Sequence, residues 1–394
     1  MAGQNNPMMY NDGHGTSTVD QYSGSKQLNE SYFIKKALME AREEQYFTPL
    51  ADTIAMPKHS GKKITQYHLI PSLSDENIND QGIDAMGAVI ANGNLYGSSK
   101  DIGFIPDKLP VLSENGGRVN RIGHSRKTLE GTMYNYGFFS DYTEDSVDMD
   151  SDENILEHIN KQTIDTATQV SEDVLQIDLL NSAGVVRYLG TATSKVTTKE
   201  LVTYGDFVRL GIDLDNNRTP KKTKVITGTR DTDTRTLPAS RVIFIGSELL
   251  PTLKSMKDYH DNAAFIPVQH YAGQTTVMNG EVGSVDAFRV VVVPKMLKWA
   301  GAGAPASDAT KYATGGNYDV FPMLVVGDGS FTTIGFQTNG KDTKFKQIHK
   351  KPGEENANLE NPYGKKGFMS IQWWYGFMAL RPERIGMILT TATM

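Results

Sequence analysis

The chain contains no cysteine. That removes disulfide scaffolds, thiolate zinc sites, iron–sulfur clusters and thiol catalysis together. It also fits synthesis in a reducing cytoplasm. Long apolar runs are missing as well. The most apolar stretches, Phe288 to Pro294 and Phe377 to Leu380, are strand-sized and far short of the roughly 20 residues that a membrane-crossing helix needs. The opening residues, MAGQNNPMMYNDG, lack the basic segment followed by an apolar one that marks a secretory signal. Basic charge is in deficit: 40 Lys and Arg against 46 Asp and Glu give a net charge of −6. Nothing in that balance favours binding to phosphates.

Catalytic and metal signatures are absent too. The eight histidines, at 14, 59, 68, 124, 158, 260, 270 and 349, never fall three or four residues apart, so there is no H-E-x-x-H and no local metal pair. The G-x-S-x-G elbow of serine hydrolases is missing. Gly327-Asp328-Gly329-Ser330 is glycine-rich but lacks the GxxxxGK[ST] pattern and a following helix, which reads as a turn between strands. Asp148, Asp150 and Asp152 form a D-x-D-x-D run. Its sixth position is Glu153 where a calcium loop needs glycine, and its twelfth is Ile159 where it needs glutamate. Acids gathered at the positive end of a helix dipole account for the run better.

What remains is an ordinary globular composition over 394 residues, 38% apolar and 22% charged, long enough for two to three domains and a sizeable core. Residues 1 to about 28 are polar and Gly/Ser/Asn-rich, a composition that cannot offset its own ordering entropy. Such an arm is expected to lie against something else, such as a neighbouring copy. Asn29 to about Phe47 reads as a helix ended by Pro49. From Gly61 to about Lys127 there is no helical period. Lys63 to Leu69 and part of Leu129 to Tyr142 alternate as strands. Between them a two-stranded arm and a glycine-rich β subdomain fit the composition equally.

The segment Asp141 to Glu153 carries seven acids (Asp141, Glu144, Asp145, Asp148, Asp150, Asp152 and Glu153) and no base. A helix from about Asp152 to Asn181 follows, with Leu156, Ile159, Thr163, Ala167, Val170, Val174 and Ile177 at helical intervals and Ser182 and Gly184 closing its end. At 1.5 Å per residue it spans roughly 44 Å, about twice the usual helix. Shorter elements come after Arg187. Thr203 caps a helix through Leu214. Arg241–Gly246 is a strand, Glu248–Met256 a short helix and Phe288–Val293 a strand. Trp299–Tyr318 is a surface loop. Pro322–Val326, Thr332–Gln337, Phe368–Ala379 and Ile385–Thr390 are strands. The chain is α+β with one dominant helix and no internal repeat.

Basic clusters occur at Lys221, Lys222 and Lys224, at Lys341, Lys344 and Lys346, and at Lys350, Lys351, Lys365 and Lys366, and some of them lie near Phe345 and Tyr363, the composition of a single-strand binding platform. Interspersed Asp342, Glu354 and Glu355 favour a solvated face or a charge-complementary subunit contact instead. Trp373 and Trp374 are neighbours in a strand, so they face opposite sides. One is expected in the core, the other against a second layer or a partner.

Five blocks carry a resemblance: FTPLADTIAMPKHSGKKI (47 to 64), YNYGFFSDYTEDSVDMDSDENILEHI (134 to 159), RVIFIGSELLPTLKSMKDYHD (241 to 261), NGEVGSVDAFRVVVVPKM (279 to 296) and NPYGKKGFMSIQWWYGFMALRPERIGMI (361 to 388). Together, in this order, the chain resembles the major capsid protein of tailed bacteriophages, in the N-four-like podophage branch. The resemblance implies the Hong Kong 97-type capsid fold. Residues 1–46 correspond to an N-terminal arm and helix, and 61–128 to the extended E-loop. Residues 47–60, 129–186 and 336–394 correspond to the P domain with its long spine helix, and 187–335 to the A domain. The C-terminal strands are expected to return to the P-domain sheet.

It further implies a shell protein that self-assembles into hexamers and pentamers of an icosahedral capsid enclosing double-stranded DNA. No catalysis, metal or cofactor is expected. Its expected partners are itself, a separately encoded scaffolding protein, a portal and a decoration protein, with no membrane. It is expected in the virion, after synthesis in the host bacterial cytoplasm and with no propeptide removed. The charged residues Lys58, Lys62, Arg381, Glu383 and Arg384 are the candidates for inter-subunit pairing. The rival readings are an encapsulin-like compartment, which encloses protein cargo, and an α+β metal-dependent hydrolase using the acids at 141 to 153.

Overall fold

The computed structural model describes residues 45–57, 59–69, 81–83, 119–120, 126–149, 155–226, 234–238, 240–270, 278, 280–338, 341–342, 345–357 and 361–394. The expected N-terminal arm apart from residues 45 and 46, Lys58, Asp150, Asp152 and most of the expected E-loop lie outside them. The chain divides into two compact units. The larger comprises Glu43–Phe139, Ile164–Ile348 and Ser370–Met394. The smaller includes Ser140–Thr163 and His349–Met369.

The first elements are strands β1 (Asp52–Met56), β2 (Lys63–Leu69), β3 (Gln81–Ile83), β4 (Val119–Asn120) and β5 (Arg126–Thr143). Helices α1 (Glu144–Asp148) and α2 (Ile155–Asn181) follow, then β6 (Val185–Tyr188) and α3 (Tyr204–Asn216). Next come β7 (Lys222–Ile226), β8 (Thr234–Pro238), β9 (Arg241–Gly246), α4 (Leu250–Lys254), β10 (Phe265–Pro267), β11 (Glu281–Val285) and β12 (Phe288–Val293). The chain ends with β13 (Ala313–Thr314), β14 (Asn317–Tyr318), β15 (Phe321–Val326), β16 (Phe331–Thr338), β17 (Lys341–Asp342), β18 (Lys346–Lys350), β19 (Lys366–Ala379) and β20 (Ile385–Thr390).

Two seven-stranded sheets organise these strands. The first runs β1-β16-β19-β5-β2, with β17 on β16 and β18 on β19. The second runs β10-β11-β12-β9-β15-β20-β6. Its central strands β9, β15 and β20 are buried at all six positions, which explains why they read as continuous apolar runs without alternation. The alternation is still there and sorts side chains between two cores. Val242, Phe244, Leu324, Val326, Ile385 and Met387 join one cluster with Ala167, Leu175 and Leu179 of α2 and with Ile371, Trp373 and Tyr375 of the first sheet. Ile243, Ile245, Met323, Val325 and Ile388 point the other way, against Phe207, Leu210 and Leu214 of α3, Leu249 before α4 and Leu253 within it. Each such apolar side chain contributes roughly 1.5–3 kcal/mol by leaving water.

Two expectations change and a third is borne out. The C-terminal strands do not share a sheet: β19 lies in the first sheet, whereas β20 lies between β15 and β6 in the second. The reason is that β20 needs apolar cover on both faces, and the interior of the second sheet supplies it. The buried side of α2 follows the predicted stripe at Thr163, Ala167, Val170 and Val174 and departs from it only near the C-terminal end. Leu175 and Leu179 are buried while Ile177 is 45% exposed. Polar residues sit on the buried side because they have partners there: Thr168 Oγ1 donates to the Ile164 carbonyl at 3.0 Å and Gln176 Nε2 donates to Met296 Sδ at 2.8 Å. Gly327–Ser330 is the expected turn between strands and passes from one sheet to the other, with Gly329 at φ +62°, a conformation that favours glycine.

Candidate assembly surfaces

β2 and β5 pair antiparallel, from Lys63 opposite Thr132 to Leu69 opposite Arg126. Farther along the same two segments, β3 and β4 pair antiparallel as a sheet of their own. These nested pairings are those of a two-stranded hairpin. β2 is also the edge of its sheet, and none of its seven residues is fully buried. The stem is held by its backbone ladder and by Ile64 and Leu129 against Met56, Met133, Ile334 and Met378, with cross-strand polar contacts on its exposed side. Lys63 Nζ lies 2.6 Å from Glu130 Oε2, and the Arg126 guanidinium sits 4.5 Å from the centre of the Tyr67 ring. Tyr67, Leu69, Tyr134 and Phe139 stand more than half exposed. A charged Lys at an exposed edge discourages indiscriminate strand pairing, while the large apolar groups beside it offer contact area.

The root of the chain at Tyr46–Thr48 is fixed by one carboxylate. Glu172 of α2 accepts hydrogen bonds from the backbone N–H of Tyr46 (2.8 Å), Phe47 (2.6 Å) and Thr48 (3.2 Å) and from the Thr48 hydroxyl. Thr48-Pro49-Leu50 is a single turn of 3₁₀ helix, so these are the orphan donors of a helix start satisfied by an anion. Phe47 then packs on Phe244 with ring centroids 4.9 Å apart. Two turns along α2, Asp178 accepts from the Tyr375 hydroxyl at 2.8 Å. Burial pushes the Asp178 carboxyl above its ordinary range, opposed by that hydrogen bond. Burial and the nearby carboxylate push the Tyr375 phenol well up. In the sequence Glu172 and Asp178 stand out only as acids on a helix. The tie at Glu172 could have been found from Thr48-Pro49, a helix start in need of a partner.

Within the smaller unit the acidic run opens as a capped helix. The Thr143 side chain and Ser146 form a reciprocal capping box at the start of α1. Asp145 lies 3.6 Å from Lys365 Nζ, and the Tyr142 hydroxyl shares a 2.6 Å hydrogen bond with His349 Nε2. Burial, then Lys351, lowers the His349 pKa. Among the described residues no group of three His, Cys, Asp or Glu could hold a metal ion.

The two tryptophans divide as expected. Trp373 is buried between Tyr136, Phe138 and Phe345. Trp374 packs on the opposite face beside Met56, Met133 and Met378, where the Lys62 ammonium lies 5.6 Å from its ring centre. Of the candidate pairing residues, Lys62 is thus exposed beside the β2–β5 stem. Arg381, Glu383 and Arg384 are half-buried on the turn from β19 to β20. Their backbone is committed within the chain. The Glu383 carbonyl accepts from Asn217 Nδ2 at 2.9 Å, and the Arg384 carbonyl accepts from Gly327 N. The Arg384 guanidinium donates to the Asp328 carbonyl at 3.1 Å, and burial with Arg381 nearby lowers its pKa. The structure therefore brings Arg381, Glu383 and Arg384 together and leaves Lys62 on a different element.

The surface loop Trp299–Tyr318 is tightly pinned. The Tyr318 oxygen accepts from the backbone N–H of Ser307 (2.9 Å) and Asp308 (2.7 Å), Asp319 accepts from Gly301 N at 2.8 Å, and Lys195 lies 4.4 Å from the centre of the Trp299 ring. A glycine-rich composition concealed this order.

No protein-family model matches the chain. The chain is 53% identical to the major capsid protein of Pseudomonas phage KPP21, over 98% of each. In structure it resembles the capsid of Ralstonia phage GP4, with a TM-score of 0.56 at 11% identity over 96% of this chain and 99% of that one. It also resembles the capsid of cyanophage P-SCSP1u, with a TM-score of 0.52 at 13% identity over 96% of each. The fold is the Hong Kong 97-type capsid fold expected from the sequence. With this fold, and more than half its residues shared with a capsid protein along nearly the full length, the chain belongs to the family of phage major capsid proteins, structural components of the virion.

Proposed function

We propose that the chain self-assembles into hexamers and pentamers of an icosahedral shell that encloses double-stranded DNA. The observation that carries this reading is the 53% identity to a phage major capsid protein along 98% of the chain. The net charge of −6 supports a container over a DNA-binding protein, since a wall of that sign leaves packed DNA unbound. The nested pairings of β2 with β5 and β3 with β4 support reading 61–128 as the E-loop of a shell subunit. A separately encoded scaffolding protein, a portal and a decoration protein are its proposed partners, and the host cytoplasm its place of synthesis.

Inter-subunit pairing is proposed for Lys58, Lys62, Arg381, Glu383 and Arg384. Lys62 has no acidic partner among the described residues, so its charge is available to a neighbour. Each exposed pair of this kind is worth under about 1 kcal/mol, and durability comes from the number of copies.

The test is electron microscopy of the purified protein expressed with its scaffolding protein. Closed shells containing DNA in the mature particle are expected. A cargo enzyme in place of DNA would make it an encapsulin-like compartment. Deleting residues 75–115 is expected to leave a folded body that forms no shells. Normal shells from that deletion would refute the E-loop assignment.

A further inference from the structure

We propose that the basic ribbon around β7 of one copy docks on the acidic segment around α1 of a second copy, a contact that rests on the shell reading and names one pair of complementary surfaces within it. The charge of this chain is unevenly placed. Residues 218–235 hold six basic and two acidic residues, whereas 140–163 and 349–369 together hold eleven acidic and five basic ones. Among the described residues each surplus is only partly neutralised, as by Glu157 with Lys161 in the acidic segment.

In the ribbon, Asp215 is taken up by Arg241 at 2.6 Å and Lys221 at 2.9 Å, and Lys224 lies 4.0 Å from Asp52. Arg218 and Lys222 are exposed and have no acidic partner among the described residues. In the acidic segment Asp145 is met by Lys365. Asp141, Glu144 and Asp148 are exposed and have no basic partner among the described residues.

The ribbon packs against the Thr48–Leu50 turn and β9 but is a sheet of its own. Among the described residues β7 and β8 pair only with each other, from Lys222 opposite Pro238 to Ile226 opposite Thr234, and belong to neither large sheet.

A surplus of each sign on every copy is always matched when copies tile, at equal stoichiometry and without a further partner. A polyanion such as DNA meets instead a subunit of net charge −6, which opposes its approach. Opposed patches of this size steer association and fix which surfaces meet, and their effect fades as salt shortens the screening length to below about 8 Å.

The test uses the full chain in shell assembly, read by light scattering and microscopy. Arg218→Glu with Lys222→Glu, or Glu144→Lys with Asp148→Lys, is expected to raise the protein concentration for half-maximal assembly about tenfold, and the four together to restore it to within about threefold. Thermal melting of the dispersed variants is expected to match that of the unaltered chain, because all four positions are exposed. A second readout exploits the absence of cysteine. When Lys222→Cys and Asp148→Cys copies are mixed and treated with a short bismaleimide, the mixture is expected to give a covalent dimer at about twice the 43.4 kDa chain mass. Neither copy alone is expected to give it.

Unchanged assembly after charge reversal, no recovery in the fourfold variant, or no mixed dimer overturns the proposal. So do normal shells with reduced DNA content after the ribbon reversal, which would make DNA the ribbon's partner. Failure of the unaltered chain to form shells overturns the shell reading as well, and is distinct from each of these results.

Discussion

Arg241 is 1% exposed, the most costly kind of side chain to bury. It survives because its Nη2 donates to Asp215 and to the Thr219 carbonyl, both at 2.6 Å. Burial raises the Asp215 pKa, but the hydrogen bonds from Arg241 and Lys221 outweigh that and hold it below the ordinary range. Its stabilisation is therefore present above the unfolded pKa and lost as pH falls through the lower, folded one. Asp215→Asn leaves a buried cation without its counter-ion and is expected to cost roughly 3 kcal/mol, read as a lower denaturant midpoint. The double variant Asp215→Ala, Arg241→Met is expected to recover most of the loss, because two apolar groups need no partner. Asp178 works in the opposite sense. Its folded pKa is raised, so its contribution is full below the unfolded pKa and declines as pH rises through the folded one. Asp178→Asn keeps an acceptor for Tyr375, and the variant is expected to lose less stability than the unaltered chain does as pH rises past the unfolded carboxyl pKa. A parallel pH profile for the two would contradict the raised pKa.

At the scale of elements, α2 binds three separate stretches of chain in the larger unit: the root at Tyr46–Thr48 through Glu172, strand β19 through Asp178, and the second sheet through Leu175 and Leu179. Glu172→Ala strands three backbone donors at a partly buried turn, at a cost of about 1–3 kcal/mol. Hydrogen exchange at amides 46–48 is expected to accelerate by at least tenfold while α3 and β9 keep theirs. Exchange unchanged at 46–48 would show that Phe47 packing alone fixes the root. The elements themselves were largely legible. Lys63–Leu69, Arg241–Gly246, Phe288–Val293 and Ile385–Thr390 appear with the limits their sequence implies, because runs of β-branched and apolar residues bounded by polar or turn residues have few other solutions. Their assignment to sheets was not legible, since burial on both faces looks alike in every strand of a doubly covered sheet. Gly184 shows the same limit. Read from sequence it closes a helix. In the fold its role is proximity, because a Cβ there would lie 2.5 Å from the Pro382 carbonyl oxygen. Only the chain 198 residues later makes a glycine necessary.

On the scale of the whole molecule, burial is concentrated in the second sheet and its flanking helices, while the surfaces proposed for assembly are thinly supported. β2 has no fully buried residue and β18 is exposed at all five positions. A two-stranded stem of this kind is marginal in water by itself, and the cross-strand pair of Lys63 with Glu130 adds little because both partners are solvated. Such strands keep their structure when a neighbour covers them, so subunit folding and shell formation are coupled at these positions and uncoupled at β9, β15 and β20. Dispersed subunits are therefore expected to exchange amides 63–69 and 126–132 rapidly while those of β9 and β15 stay protected. In closed shells the same stem amides are expected to slow by roughly a hundredfold, about 2.8 kcal/mol of opening free energy. The comparison is made by hydrogen exchange and mass spectrometry on one preparation before and after assembly. A stem already as protected in the dispersed subunit as β9 is would mean that the hairpin draws its stability from its own chain, and that neighbours add nothing to it.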